Sequence, residues 1–149
     1  MKRALLFAVM MIAGLSAVAQ SNEFVDGLLA QETASYGQVS YLVLVASDNL
    51  SEDSDEARAF ELLENLGWAP DGATVDSKTD LASYALILMR AFGLKGGVMY
   101  SLFAGPRYAY RELSSRQVIQ GRSDPGMAVD GSTAVRMLGR VFDIIGANR

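Results

Sequence analysis

Two stretches of this chain repeat one another, and a chain built from repeats folds as neighbouring copies of one supersecondary unit. Ala59-Phe60-Glu61-Leu62-Leu63, then Leu66-Gly67-Trp68 and Pro70-Asp71-Gly72, lead to Val75-Asp76-Ser77 and a run ending Leu88-Met89-Arg90-Ala91-Phe92. Further on, Tyr110-Arg111-Glu112-Leu113, Val118-Ile119-Gln120-Gly121 and Asp124-Pro125-Gly126 lead to Val129-Asp130-Gly131 and a run ending Leu138-Gly139-Arg140-Val141-Phe142. Each reads as helix, glycine turn, short loop and capped helix. From the Val-Asp step to the shared Leu-x-Arg-x-Phe the two differ by four residues, close to one helical turn. Val39-Ser40-Tyr41-Leu42-Val43 resembles Ala82-Ser83-Tyr84-Ala85-Leu86 and marks a half-copy upstream. That match reads Tyr36 to Ala46 as helix, although its composition alone suits a strand.

Local signals fill in the rest. Ser21 to Ala34 is mildly amphipathic, with Phe24, Val25, Leu28 and Leu29 on one side, and reads as a short helix. Ser54 is a good N-cap for a helix from about Asp55 to Leu66, and Gly67 is its expected stop. Ser77 or Thr79 caps a second helix through Phe92, which Gly93 ends. Tyr108 to Gln117 reads as another helix, Gly121 to Gly126 as a turn, and Ser132 to Ile145 as the last helix. With no βαβ alternation, the fold expected is all-α: tandem helix-loop-helix units at 55–94 and 108–146, with a half unit at 32–47.

This pattern resembles the S-layer homology repeat, through Val118-Ile119-Gln120-Gly121, Asp124-Pro125-Gly126 and Met137-Leu138-Gly139-Arg140. That family joins two helices by a glycine turn and repeats about every 50 residues, often three times. The resemblance covers Glu32 to Ile145. It implies an envelope protein whose repeats associate with wall polymer. Where the family places its polysaccharide-reading Arg, this chain has Thr79-Asp80-Leu81-Ala82 and Ser132-Thr133-Ala134-Val135, neither of which contains it.

The N-terminus reads as a secretory signal over residues 1–19. Lys2 and Arg3 precede an apolar run from Ala4 to Leu15, and Ala17-Val18-Ala19 offers small residues before Gln20. The apolar run falls short of the ~20 residues that span a bilayer. A single exported domain at 20–149 follows, periplasmic, at the cell surface or secreted, with no integral membrane segment after cleavage. It holds no Cys, so no disulfide holds the fold together. It holds no His, which removes the commonest general base and transition-metal ligand. No cofactor and no metal is expected. The acids Asp48, Glu52, Asp53, Asp55 and Glu56 lack the spacing of a calcium loop.

Charge is unevenly spread. Gln20 to Asp80 carries two basic and thirteen acidic residues, whereas Leu81 to Arg149 carries nine basic and four acidic. The two halves pair within the fold or between copies, or the basic half faces an anionic partner, or the asymmetry is simply a solvated dipolar surface. The stretch from Lys95 to Arg111 concentrates aromatics, glycines and cations, the mixture of an interface hot spot or sugar-stacking platform. Its Tyr100, Phe103, Arg107, Tyr108, Tyr110 and Arg111 are the candidate binding residues; for Tyr100, Phe103 and Tyr108 the alternative is core packing between the units. No acid, Ser or Lys arrangement has persuasive catalytic spacing, so no catalytic residue is assigned. The function expected is an exported, non-enzymatic binding or scaffold protein of the envelope. Its partner would be an envelope protein or a cell-wall polymer, not nucleic acid. The alternatives are a self-assembling structural protein, forming a homo-oligomer, and a small carboxylate hydrolase.

Overall fold

A computed structural model describes residues 22–147; the secretory signal expected at 1–19 lies outside them. The described chain is helical: α1 (22–29), α2 (Tyr36–Ala46), α3 (Glu56–Asn65), α4 (Leu81–Ala91), α5 (Val98–Leu102), α6 (Pro106–Ser115) and α7 (Gly131–Ala147). Among the described residues the only extended pairings are two isolated bridges, Ser35 with Lys78 and Asp80 with Ala128.

Those bridges belong to a three-way junction. The Ala34 N–H donates to the Val129 carbonyl at 2.7 Å, the Val129 N–H to the Thr79 carbonyl at 2.9 Å, and the Thr79 N–H to the Ala34 carbonyl at 3.0 Å. The three bonds close a ring. Each ring residue is followed by a polar residue that caps a helix: Ser35 for α2, Asp80 for α4 and Asp130 for α7. In each, the side chain accepts the backbone N–H three residues on, from Gln38, Ser83 and Thr133. That satisfies one of the orphan donors a helix start leaves. Gln38 also returns a bond to the Ser35 N–H, completing a capping box.

Around the ring, the Tyr36 N–H reaches the Ser77 carbonyl, the Leu81 N–H the Met127 carbonyl, and the Gly131 N–H the Gln31 carbonyl. At this third place the end of α1 presses on the junction. A Cβ on Gly131 would lie 1.7 Å from the Leu28 carbonyl oxygen, so only glycine fits there. Ring and caps together set the register between the parts. Ala34 to Thr79 spans 45 positions and Thr79 to Val129 spans 50. Asp130 therefore corresponds to Asp80 and not to Asp76, and the half-copy match of Val39 with Ala82 shifts by two residues.

The helices lie close to their expected positions, with displaced ends. Asp55, rather than Ser54, caps α3, and Asp80, rather than Ser77 or Thr79, caps α4. The last helix starts at Gly131 instead of Ser132. α6 starts two residues early because Pro106 occupies its first turn, where the missing N–H costs nothing. α1 stops at residue 29, well before Ala34, which must be extended to join the ring. Gly67, Gly93 and Gln117 terminate α3, α4 and α6 with positive φ, the left-handed exit common after helices.

Packing explains the apolar runs. Every residue from Leu81 to Met89 is buried, because α4 is enclosed by α2, α6 and α7. α2 is likewise buried nearly all round, which is why Val39 to Val45 lacks the polar face of an ordinary surface helix. The Tyr84 hydroxyl, fully buried, donates to the Ala134 carbonyl at 2.8 Å and joins α4 to α7.

Candidate functional site

The candidate residues between Lys95 and Arg111 do not all line one groove. Tyr100, Tyr108 and Arg111 line a groove of about 290 Å³ with Gly97, Val98, Met99, Glu112 and Ser115. Phe103 is exposed and stacks on Tyr108, ring centres 6.0 Å apart and planes 28° from parallel. Tyr108 and Arg111 share a face of α6 because residues three apart do so. Tyr110 lies about 200° round the helix from Tyr108. It turns to the opposite side, where its hydroxyl meets the Ser123 carbonyl at 3.0 Å and the Ser123 hydroxyl at 2.8 Å. Tyr110 is thus a brace for the 118–127 loop. Arg107 lines another groove, with Asp80, Ala82, Pro106, Pro125 and Gly126.

Packing between units, the alternative reading of the aromatics, accounts for only part of them. Tyr100 is half-buried against the core, and burial raises its pKa against the lowering effect of Arg90. Phe103 is 59% exposed and fills no gap. The link itself is anchored by Glu112, whose Oε2 accepts the Gly97 N–H at 2.9 Å while its Oε1 accepts both Nε and Nη2 of Arg116. The Gly97 bond first, and then Arg116, outweigh burial and hold Glu112 below the usual carboxylate range. Arg116 also donates to the Lys95 carbonyl.

A second groove, of about 460 Å³, lies between the start of α4, the loop after α6 and the inner face of α7. Arg122, Arg136 and Arg140 all line it, beside Gln120, Ser123 and Thr133, and no Asp or Glu does. The three guanidiniums are held differently. Arg140 donates to the Val118 carbonyl at 2.9 Å, tying α7 to the loop. Arg136 reaches the Ser132 and Thr133 hydroxyls, each at 3.2 Å. Arg122 is exposed, with no hydrogen-bond partner among the described residues. Nearby, Asp130 is half-buried. Burial raises its pKa, but bonds from Thr133 and Ser132 and the charge of Arg136 outweigh this, so it stays ionised below its ordinary range.

Arg136 and Arg140 stand four apart, on one face of α7. That spacing was the available sign of this groove. Arg122 comes from a separate loop, and nothing in sequence reveals that it joins them. Arg90, the counterpart of Arg140, donates to the Gly67 carbonyl at 2.9 Å and the Ala104 carbonyl at 3.4 Å, so both arginines fasten a helix end to a turn.

Among the described residues no cluster of three or more acids, Cys or His is placed to hold a metal ion, and no helix is long and apolar enough to cross a membrane. Comparison with family models, with curated proteins and with solved structures returns no match.

Proposed function

We propose that this chain is an exported, non-enzymatic binding protein of the cell envelope, and that it holds an anionic wall polymer in the groove of Arg122, Arg136 and Arg140. One observation carries the reading: three guanidiniums from two separate segments converge on one concavity whose lining includes no carboxylate. Guanidinium forks suit carboxylate and phosphate groups, and Gln120, Ser123 and Thr133 add neutral partners for hydroxyls. This keeps the resemblance of the sequence to wall-associated helical repeats. The Arg absent from the helix starts is replaced, in this reading, by arginines further along α7 and on the loop.

The test is retention on purified sacculi with their wall polymers attached, comparing wild type with Arg122→Ala/Arg136→Ala. Arg140 is left in place because it holds the loop. The expected result is a loss of at least about tenfold in affinity, the scale of one or two charge-assisted contacts. Equal retention of both proteins overturns the reading. Recovery of a defined envelope protein with no sacculus binding makes the chain a scaffold subunit instead.

A further inference from the structure

The two links that lead out of the ring helices differ by an insertion. Asp48 (φ 58°) after α2 and Gly93 (φ 59°) after α4 are equivalent exits, 45 positions apart like Ala34 and Thr79. The next caps, Asp55 before α3 and Gly105 before α6, are 50 apart, as are Thr79 and Val129. The second link is therefore five residues longer, and it carries the five-residue helix α5. None of its residues is fully buried, and of its side chains only Tyr100 packs against the core.

What the insertion adds is apolar and outward. Val98 is 75% exposed, Met99 49%, Leu102 66% and Phe103 59%, the densest run of exposed large apolar side chains among the described residues. Exposed apolar clusters of this kind mark a contact surface. Its surroundings identify the contact. No acidic residue occurs between Leu81 and Arg111, and Lys95, Arg107 and Arg111 are all exposed. Of the acids lining the adjoining grooves, Glu112 is engaged by Arg116 and the Gly97 N–H, and Asp80 by the cap of α4. Tyr108 and Arg111 line one groove with Val98 and Met99, and Phe103 stacks on the Tyr108 ring. Apolar tip, aromatic layer and flanking cations is the arrangement of an element lying in the interface of a bilayer. A protein partner for Leu102 and Phe103 would need a matching pocket. The acidic counterpart on a second copy, Asp48 to Asp55, is polar and offers only half-buried Leu50.

We propose that α5 and its flanks form a reversible docking site for an anionic lipid surface, with Val98, Met99, Leu102 and Phe103 inserted and Lys95, Arg107 and Arg111 at the headgroups. The site is separate from the Arg122/Arg136 groove and goes beyond the wall-polymer reading. Together they would hold the protein between membrane and wall.

The experiment is co-sedimentation with vesicles of phosphatidylcholine mixed with phosphatidylglycerol, and with vesicles of phosphatidylcholine alone. All proteins are taken after export, with the N-terminus checked by mass spectrometry. Wild type should pellet with the anionic vesicles and much less with the neutral ones, and added salt should weaken it. Leu102→Ser/Phe103→Ser should bind at least about tenfold more weakly. Arg107→Ala/Arg111→Ala should lose most of the preference for anionic lipid. Val98→Asp, at the most exposed position of the tip, is the second apolar variant should the double serine fail to fold by circular dichroism. Arg122→Ala/Arg136→Ala should pellet like wild type, so this proposal and the wall-polymer reading fail separately. Absence of vesicle binding by wild type overturns the proposal, as does unchanged binding by folded tip variants. A dimer of wild type that the tip variants abolish, without vesicle binding, overturns it in favour of contact between copies.

Discussion

The link from Asp48 to Asp55 and the link from Gly93 to Gly105 start from the same left-handed exit and end on an extended residue before a helix, a side-chain cap in Asp55 and a bare glycine in Gly105, and they share almost nothing between. The first is short and acidic, and is fastened by the Tyr41 hydroxyl donating to the Glu52 carbonyl at 2.8 Å. The second is longer by α5, lacks acids, and presents apolar side chains to solvent. Each link joins the far end of a ring helix to the helix packed beside it, α2 to α3 and α4 to α6, and no bond of the ring itself reaches either link. What the fold requires and what a binding surface uses are therefore separable here, residue by residue.

The sharpest way to break that separation is at the ring. Gly131→Ala places a methyl group against the Leu28 carbonyl, and α1 and α7 must part to admit it. We expect a loss of more than about 3 kcal/mol in urea denaturation, or no folded protein. A cost under about 1 kcal/mol would show that the third place in the ring is not tightly joined.

The next test sets one leucine after the first link against one inside the second. Leu63 is fully buried, so Leu63→Ala should cost about 2–5 kcal/mol, transfer and cavity together. Leu102 is 66% exposed, and Leu102→Ala should stay within about 0.5 kcal/mol. A large cost at Leu102 would mean that α5 is part of the core, and the comparison would collapse.

Two hydroxyls sharpen the picture of the junction. Tyr84 donates to Ala134, and Tyr84→Phe should cost about 1 kcal/mol, the usual worth of one buried hydrogen bond. Thr79 Oγ1 is buried and, among the described residues, is the one side-chain polar atom so placed without a partner. Thr79→Val keeps the shape and removes that unpaired group, so a gain of up to about 1 kcal/mol is expected. The ring uses only the Thr79 backbone, which the substitution leaves alone. A loss on Thr79→Val would assign the hydroxyl a role that the ring geometry does not.

Much of the helical pattern was legible because it rests on side chains. The match of Val39–Val43 to Ala82–Leu86 was enough to read Tyr36–Ala46 as helix against its composition, and that helix has those bounds. Caps were misplaced by one to three residues because Ser54, Ser77 and Thr79 cap about as well as the neighbouring Asp55 and Asp80. The register of the parts was half legible. The match of Leu88-x-Arg90-x-Phe92 with Leu138-x-Arg140-x-Phe142 has the ring's spacing of 50, but the shared Val-Asp steps set Asp130 against Asp76, and the backbone bonds of the ring leave no residue type to correct that. α5 was missed because five residues after paired glycines carry neither a cap nor a period. Of the candidate site, Tyr100, Tyr108 and Arg111 do converge. Tyr110 faces away for the plain reason of helical spacing. The arginine groove was illegible where it depends on Arg122 meeting Arg136 across a loop.

The smallest expected effect returns to the two links through pH. Glu112 anchors the second link, and its pKa is lowered by the Gly97 N–H and Arg116. A lowered carboxylate stabilises the fold above its unfolded pKa of about 4.3, and that contribution is lost as pH falls through the folded value. Glu56, at the end of the first link, is shifted the other way, by burial first and then by Asp76 and Asp55. Its ionised form is disfavoured in the fold, so its contribution is complete below the unfolded pKa and is lost as pH rises through the folded one. Glu112→Gln should therefore lower the melting temperature at neutral pH, and Glu56→Gln should raise it. Both differences should shrink as pH is lowered past the unfolded carboxylate range. Effects of the same sign would show that the two links are not opposed in their electrostatics, and that their contrast lies in length and apolar surface alone.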